Sequence, residues 1–117
     1  MEYCITIRAL IDINRKDKAV AHAERLFPDL PIELTGRYWK DPSLWEFTAK
    51  HLVGYTDDKT ALWETLRYFS GAASHWTIIT GPTEPVFDTL LSAIADNTDG
   101  TGLTWCSIEL IRQTTET

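Results

Sequence analysis

The chain has 117 residues, of which 44% are hydrophobic and 24% charged, enough for one folded domain over 1–117 and not the composition of a disordered chain. Its formal net charge is −6, which disfavours nucleic acid and anionic lipid as partners and favours basic ones. No apolar run approaches the roughly 20 residues that cross a bilayer, so a membrane span is excluded from the reading.

Tyr3, Ile5, Ile7, Ala9 and Ile11 alternate with Cys4, Thr6, Arg8 and Leu10. Period two with β-branched residues predicts a largely buried strand. Residues 15–27 change to helical spacing through Ala19, Val20, Ala23, Leu26 and Phe27, with Asn14 as the expected cap and Pro28 as the stop. Residues 32–39 and 44–53 alternate again around Asp41-Pro42-Ser43, whose turn chemistry predicts a hairpin. Thr56 or Asp57 is placed to cap a second helix over about 58–70, with Leu62, Leu66 and Phe69 as its buried stripe and Gly71 after it. His75–Thr80 reads as a short strand. A third helix is predicted over about 84–96, capped by Thr83, with Pro85 in its first turn and Phe87, Leu90, Leu91 and Ile94 facing the core. Asn97–Gly102 reads as a loop, Leu103–Arg112 as a last long strand, and 113–117 as a frayed tail.

The predicted order is β-α-β-β-α-β followed by α-β. This is an α/β (α+β) chain whose first six elements match the ferredoxin-like plan, with an added αβ unit. A mostly antiparallel sheet with helices on one face follows, its other face left to solvent or a partner.

Catalytic signals are absent from the pattern. His22, His51 and His75 lie on three different elements, and no C-x-x-C or H-x-x-x-H spacing offers a metal site. Ser70, Ser74 and His75 are close in sequence but form no nucleophile elbow. Gly81-Pro82-Thr83 and Asp99-Gly100-Thr101-Gly102 lack the glycine spacing of a phosphate cradle. Arg37-Tyr38-Trp39-Lys40 is a weak nucleic-acid signal in an acidic chain. No catalytic residue, cofactor or metal is therefore expected. The start, Met1-Glu2-Tyr3-Cys4, lacks the basic region and apolar block of a secretory signal, so a cytoplasmic location is expected, with Cys4 and Cys106 as reduced, packed thiols.

Two features point towards protein binding. The first is charge distribution: residues 1–67 hold 11 acids and 10 bases, whereas 68–117 hold Glu84, Asp88, Asp96, Asp99, Glu109 and Glu116 against Arg112 alone. On the predicted third helix, Glu84 and Asp88 are four apart and share a solvent-facing side without a cation. Asp57 and Asp58 add carboxylates at a helix start, where the dipole favours them. The second is tryptophan: Trp39, Trp45, Trp63, Trp76 and Trp105 are too many for one small core, and Trp39, Trp45 and Trp63 are candidate partner anchors. Two-sided packing of the hairpin is the competing account of these rings.

At class level the chain resembles the small acidic immunity proteins of bacterial polymorphic and contact-dependent toxin systems. Glu84, Asp88, Asp96 and Asp99 would be the acidic side and Trp39, Trp45 and Trp63 the anchors. The resemblance implies a non-catalytic domain, monomer or homodimer, that masks the active site of a basic toxin such as a nuclease. The alternative is a dimeric ferredoxin-like domain that binds a small molecule, or acts on one, in an aromatic pocket of Tyr38, Trp39, His51 and Trp76.

Overall fold

The structure, a computed structural model, describes residues 1–73, 75–81, 88–96 and 102–113. The described elements are β1 (Glu2–Ile11), α1 (Lys16–Leu26), β2 (Glu33–Arg37), β3 (Trp45–Gly54), α2 (Asp58–Phe69), β4 (Thr77–Thr80), β5 (Thr89–Asp96) and β6 (Leu103–Arg112). The strands form one antiparallel sheet in the order β2-β3-β1-β6-β5-β4. The class is α+β, and both helices pack on one face.

The alternation in β1 decides that face. Tyr3, Ile5, Ile7, Ala9 and Ile11 join Trp45, Phe47 and Ala49 of β3, Cys106, Ile108 and Leu110 of β6, and Leu91 and Ala93 of β5. The helices close this layer with small and aromatic residues: Ala19, Ala23 and, just past its end, Phe27 from α1, and Ala61 and Phe69 from α2. Alanines four apart let a helix axis approach the sheet closely.

Several local expectations shift by a residue or two. Arg15, not Asn14, precedes α1, and no side chain caps it. Asp57 does cap α2, its Oδ1 accepting the Thr60 N–H at 2.8 Å. The buried stripe of α2 is Ala61, Thr65 and Phe69, with Leu62 and Leu66 half-buried beside it. Thr65 is tolerated there because its hydroxyl donates to the Ala61 carbonyl one turn back, at 2.7 Å.

The predicted third helix is corrected. Residues 89–96 are a strand, with Leu91, Ala93 and Ala95 buried and Ser92, Ile94 and Asp96 on the opposite face. Leu90, Leu91 and Ile94 fit helical spacing, but the residues also alternate, and β6 offers a ladder from Ile111 back to Trp105 that a helix would leave unpaired. The cap Thr83, Pro85, Glu84 and Phe87 lie outside the described residues, as do Asn97–Thr101 and the tail from 114.

This strand changes the topology. The first split unit is as expected: β3 lies between β1 and β2. In the second, β3 and β4 again run the same way, but β1, β6 and β5 all lie between them. The β5–β6 pair takes the place beside β1 that a four-stranded ferredoxin-like sheet gives to the strand after α2, and it displaces β4 to the edge. Cys4 and Cys106 sit on neighbouring strands but opposite different partners, Ile111 and Ala9, and both are free and buried.

Candidate functional site

The face of the sheet away from the helices has no covering layer among the described residues. Strand register places on it Glu46, Thr48 and Lys50 of β3, Thr6, Arg8 and Leu10 of β1, Trp105, Ser107 and Glu109 of β6, and Ser92, Ile94 and Asp96 of β5. Arg8 stands at its centre because of that register. Its neighbour Leu10 pairs with Glu46 on one side and Trp105 on the other, so both reach Arg8 diagonally.

The Arg8 side chain is held from three directions. Its Nη2 lies 2.5 Å and its Nε 2.6 Å from Glu46 Oε2. Its guanidinium carbon is 5.4 Å from the Tyr38 ring centroid and 5.7 Å from that of Trp105, within cation–π range of both. The Glu46 hydrogen bond raises the Arg8 pKa further above its already high ordinary value, so the cation is permanent. The Thr35 hydroxyl lies within donor reach of both the Glu46 carbonyl, at 2.9 Å, and Glu46 Oε1, at 3.1 Å.

Beside this stack lies a concavity of about 440 Å³ lined by Arg8, Leu10, Tyr38, Asp96, Thr104 and Trp105. Asp96 pairs across the ladder with Trp105, and Glu109 lies opposite Thr6 and Ser92. The ion pairs among the described residues are Arg8–Glu46, Arg15–Asp17 and Arg112–Asp58, so Asp96 and Glu109 form no direct ion pair, although Arg8 lines the concavity with Asp96 and Lys50 lies across Thr6 from Glu109. Aromatic rings and arginine are the residue types that dominate interface energies, and free carboxylates steer basic partners. Among the described residues no group of three His, Cys, Asp or Glu is placed to hold a metal ion.

The candidates from sequence fall in different places. Asp96 lies in this concavity, and Trp39 projects from the β2–β3 turn next to it, 78% exposed, its ring 6.2 Å from that of Tyr38. Asp57 and Asp58 are committed within the domain. Asp57 is the α2 cap, and the Thr60 hydrogen bonds hold its carboxyl below the ordinary range. Asp58 accepts the Tyr3 hydroxyl at 2.7 Å and Arg112 Nη2 at 2.6 Å. Asp88 is in a turn before β5, not on a helix, and its carbonyl accepts the Arg112 N–H at 2.8 Å. Trp63 is 65% exposed on α2, away from this face. Glu84 and Asp99 lie outside the described residues.

Trp45 is corrected from anchor to core. It is 8% exposed on the helix-side face, with the Arg37 guanidinium 4.1 Å over its ring. Its position opposite Ile11 turns it inward. The aromatic pocket of Tyr38, Trp39, His51 and Trp76 does not assemble either. Tyr38 lines the uncovered face, His51 points to the helix side, and Trp76 packs edge-on to Phe69 at 6.1 Å. Arg8 and Trp105 were missed as site residues: period two told which residues share a face, but not which strands would be neighbours.

On the helix side, a second cleft of about 450 Å³ opens between the end of β3 and α2. His51, Val53 and Tyr55 line one wall, Glu64, Arg67 and Tyr68 another, and Asp29 and Leu30 the mouth.

No family model matches this chain, and neither a curated protein nor a solved structure was found to be similar to it.

Proposed function

We propose that this chain is a non-catalytic protein-binding domain, an immunity protein that neutralises a basic bacterial toxin by covering its active site with the helix-free face of the sheet. The observation that supports the reading is the cluster of Arg8, Tyr38 and Trp105 beside Asp96 and Glu109, two carboxylates in no direct ion pair. The carboxylates supply long-range attraction for a basic surface and compete for the groups that would hold an anionic substrate. The Trp105 and Tyr38 rings, with Trp39 at the margin, supply area that sets the dissociation rate. Occlusion of this kind needs no chemistry from the domain itself.

The test starts with capture of partners from the source organism on tagged chain, at low and then moderate salt, followed by kinetics with the purified partner. Asp96→Lys with Glu109→Lys is expected to slow association and flatten its dependence on salt, and Trp105→Ala to speed dissociation. A basic partner whose kinetics ignore all three substitutions would refute this face as the contact. A chain that captures no basic protein at either salt concentration would refute the function.

A further inference from the structure

We propose that the cleft between β3 and α2 is a binding site for a free α-amino acid with an apolar or aromatic side chain. The site is on the opposite side of the sheet from the proposed protein interface and does not depend on that reading. Three observations lead to it.

The cleft is built, not left over from poor packing. The Tyr68 hydroxyl on α2 donates to the Pro28 carbonyl and pins the segment after α1 across the mouth. The next residue, Asp29, is the one described non-glycine residue with a positive φ, 67°. Aspartate tolerates this region better than most residues, but holding it there has a cost, and such conformations concentrate where a chain is shaped around a ligand. The volume, about 450 Å³, falls in the range of small-molecule sites.

The lining is divided in the way a zwitterion requires. Ile5, Leu30, Val53 and Phe69 give an apolar floor, and Tyr55 and Tyr68 give ring faces. At the rim stand one guanidinium, Arg67, and two carboxylates, Asp29 and Glu64, with His51 beside them. Each carboxylate lies near a phenol: Glu64 raises the pKa of Tyr55, and Asp29 that of Tyr68, in both cases after burial. Both phenols therefore stay neutral at physiological pH, Tyr68 with its proton committed to Pro28.

The rim charges are also uncommitted. Glu64 and Arg67 are one helical turn apart on α2, the spacing of a surface ion pair, yet neither they nor Asp29 form an ion pair among the described residues. A ligand carrying both an ammonium and a carboxylate satisfies both signs at once. Arg67 takes the carboxylate through its planar fork, Glu64 and Asp29 take the ammonium, and the side chain covers the apolar floor. A simple anion would meet two carboxylates, and a simple cation would meet Arg67.

The experiment follows backbone amide resonances of the full chain during titration with L-phenylalanine, L-phenylalaninamide (no carboxylate) and N-acetyl-L-phenylalanine (no ammonium). Phenylalanine is expected to give saturable shifts at His51, Tyr55, Thr65 and Leu30, and each capped analogue to bind about tenfold more weakly, the effect of losing one charge-assisted contact. Arg67→Gln is expected to abolish the advantage of phenylalanine over its amide while leaving its advantage over the N-acetyl form. Glu64→Gln should narrow the second advantage and leave the first. If a variant fails to give a folded spectrum, the three-ligand series on the unaltered chain still decides. Absence of saturable shifts, equal binding of all three ligands, or shifts confined to the uncovered sheet face would each overturn the proposal.

Discussion

Replacing Asp58 by alanine tests whether this carboxylate belongs to the fold or to a partner. Asp58 begins α2 and ties it to both central strands, accepting from Tyr3 on β1 and Arg112 on β6. The two contacts differ in value. The side chains of Arg112 and Asp58 are 31% and 41% exposed, so their ion pair is close to the surface kind, about 0–1 kcal/mol. Tyr3 is 0% exposed, and without Asp58 its hydroxyl keeps only the weak Met1 sulfur acceptor at 3.7 Å. Stranding a buried hydroxyl costs about 1–3 kcal/mol. The combined loss is about 2 kcal/mol, or a fall in Tm of about 8 °C for a chain of this length.

Urea unfolding followed by tryptophan fluorescence measures this loss, with an unchanged m-value as the check on two-state behaviour. Tyr3→Phe supplies the second edge of a double-mutant cycle, and a coupling of about 1 kcal/mol is expected. The same pair predicts a pH dependence. Burial first, and the Asp58 hydrogen bond second, push the Tyr3 phenol up to about 12 from 10.0. The folded state therefore favours the neutral phenol. Its contribution is complete below the unfolded value and is lost as pH rises through the folded one. The stability gap between the unaltered chain and Tyr3→Phe should narrow as pH is raised from about 10 to about 12, the common loss from Tyr68 cancelling in the difference. A loss below about 0.5 kcal/mol for Asp58→Ala, or additivity of the two single substitutions, would refute the tie.

Other expectations follow from the same packing. Phe69→Ala should cost about 3–5 kcal/mol in urea unfolding, because it opens the centre of the helix-side core and removes the ring contacts to Tyr68, Phe27 and Trp76. Trp45→Ala should be several-fold more destabilising than Trp63→Ala, which should stay within about 0.5 kcal/mol of the unaltered chain; equal effects would contradict the burial of Trp45. Burial pushes the Cys106 thiol up to about 12, so a thiol reagent at neutral pH should label it only as fast as the chain unfolds. Asp57→Ala should lower the urea midpoint by removing the α2 cap. Because the folded state holds this carboxyl below its ordinary pKa, its contribution is present above the unfolded value and lost as pH falls through the folded one. The variant and the unaltered chain should therefore converge in acid.

Most elements were legible in the residues. β1, the β2–β3 hairpin and β6 each show one clear period, and β6 keeps the expected Leu103–Arg112 bounds. α1 and α2 combine small apolar spacing with punctuation at Pro28 and Asp57. Residues 89–96 failed because Leu90, Leu91 and Ile94 satisfy one period while Leu91, Ala93 and Ala95 satisfy the other. Alanine accepts both backbones, and only the available partner strand decides between them. Among candidate site residues, Asp96 and Trp39 could be named from acid content and tryptophan excess, whereas Trp45 could not be told from them.

Local order along the chain by itself determined which residues alternate in β1 and β6, where α2 is capped, and that the second half carries acids with few bases. Those properties arise between near neighbours, where side-chain periodicity and capping act. The tertiary structure alone decided that β6 lies beside β1, that Leu10 pairs with both Glu46 and Trp105, and that Arg8 is thereby enclosed by an acid and two rings. It also decided that His51 and Arg67 share a cleft. Strand order and register are long-range choices, made when the whole apolar layer closes at once, and no window of the sequence contains both partners.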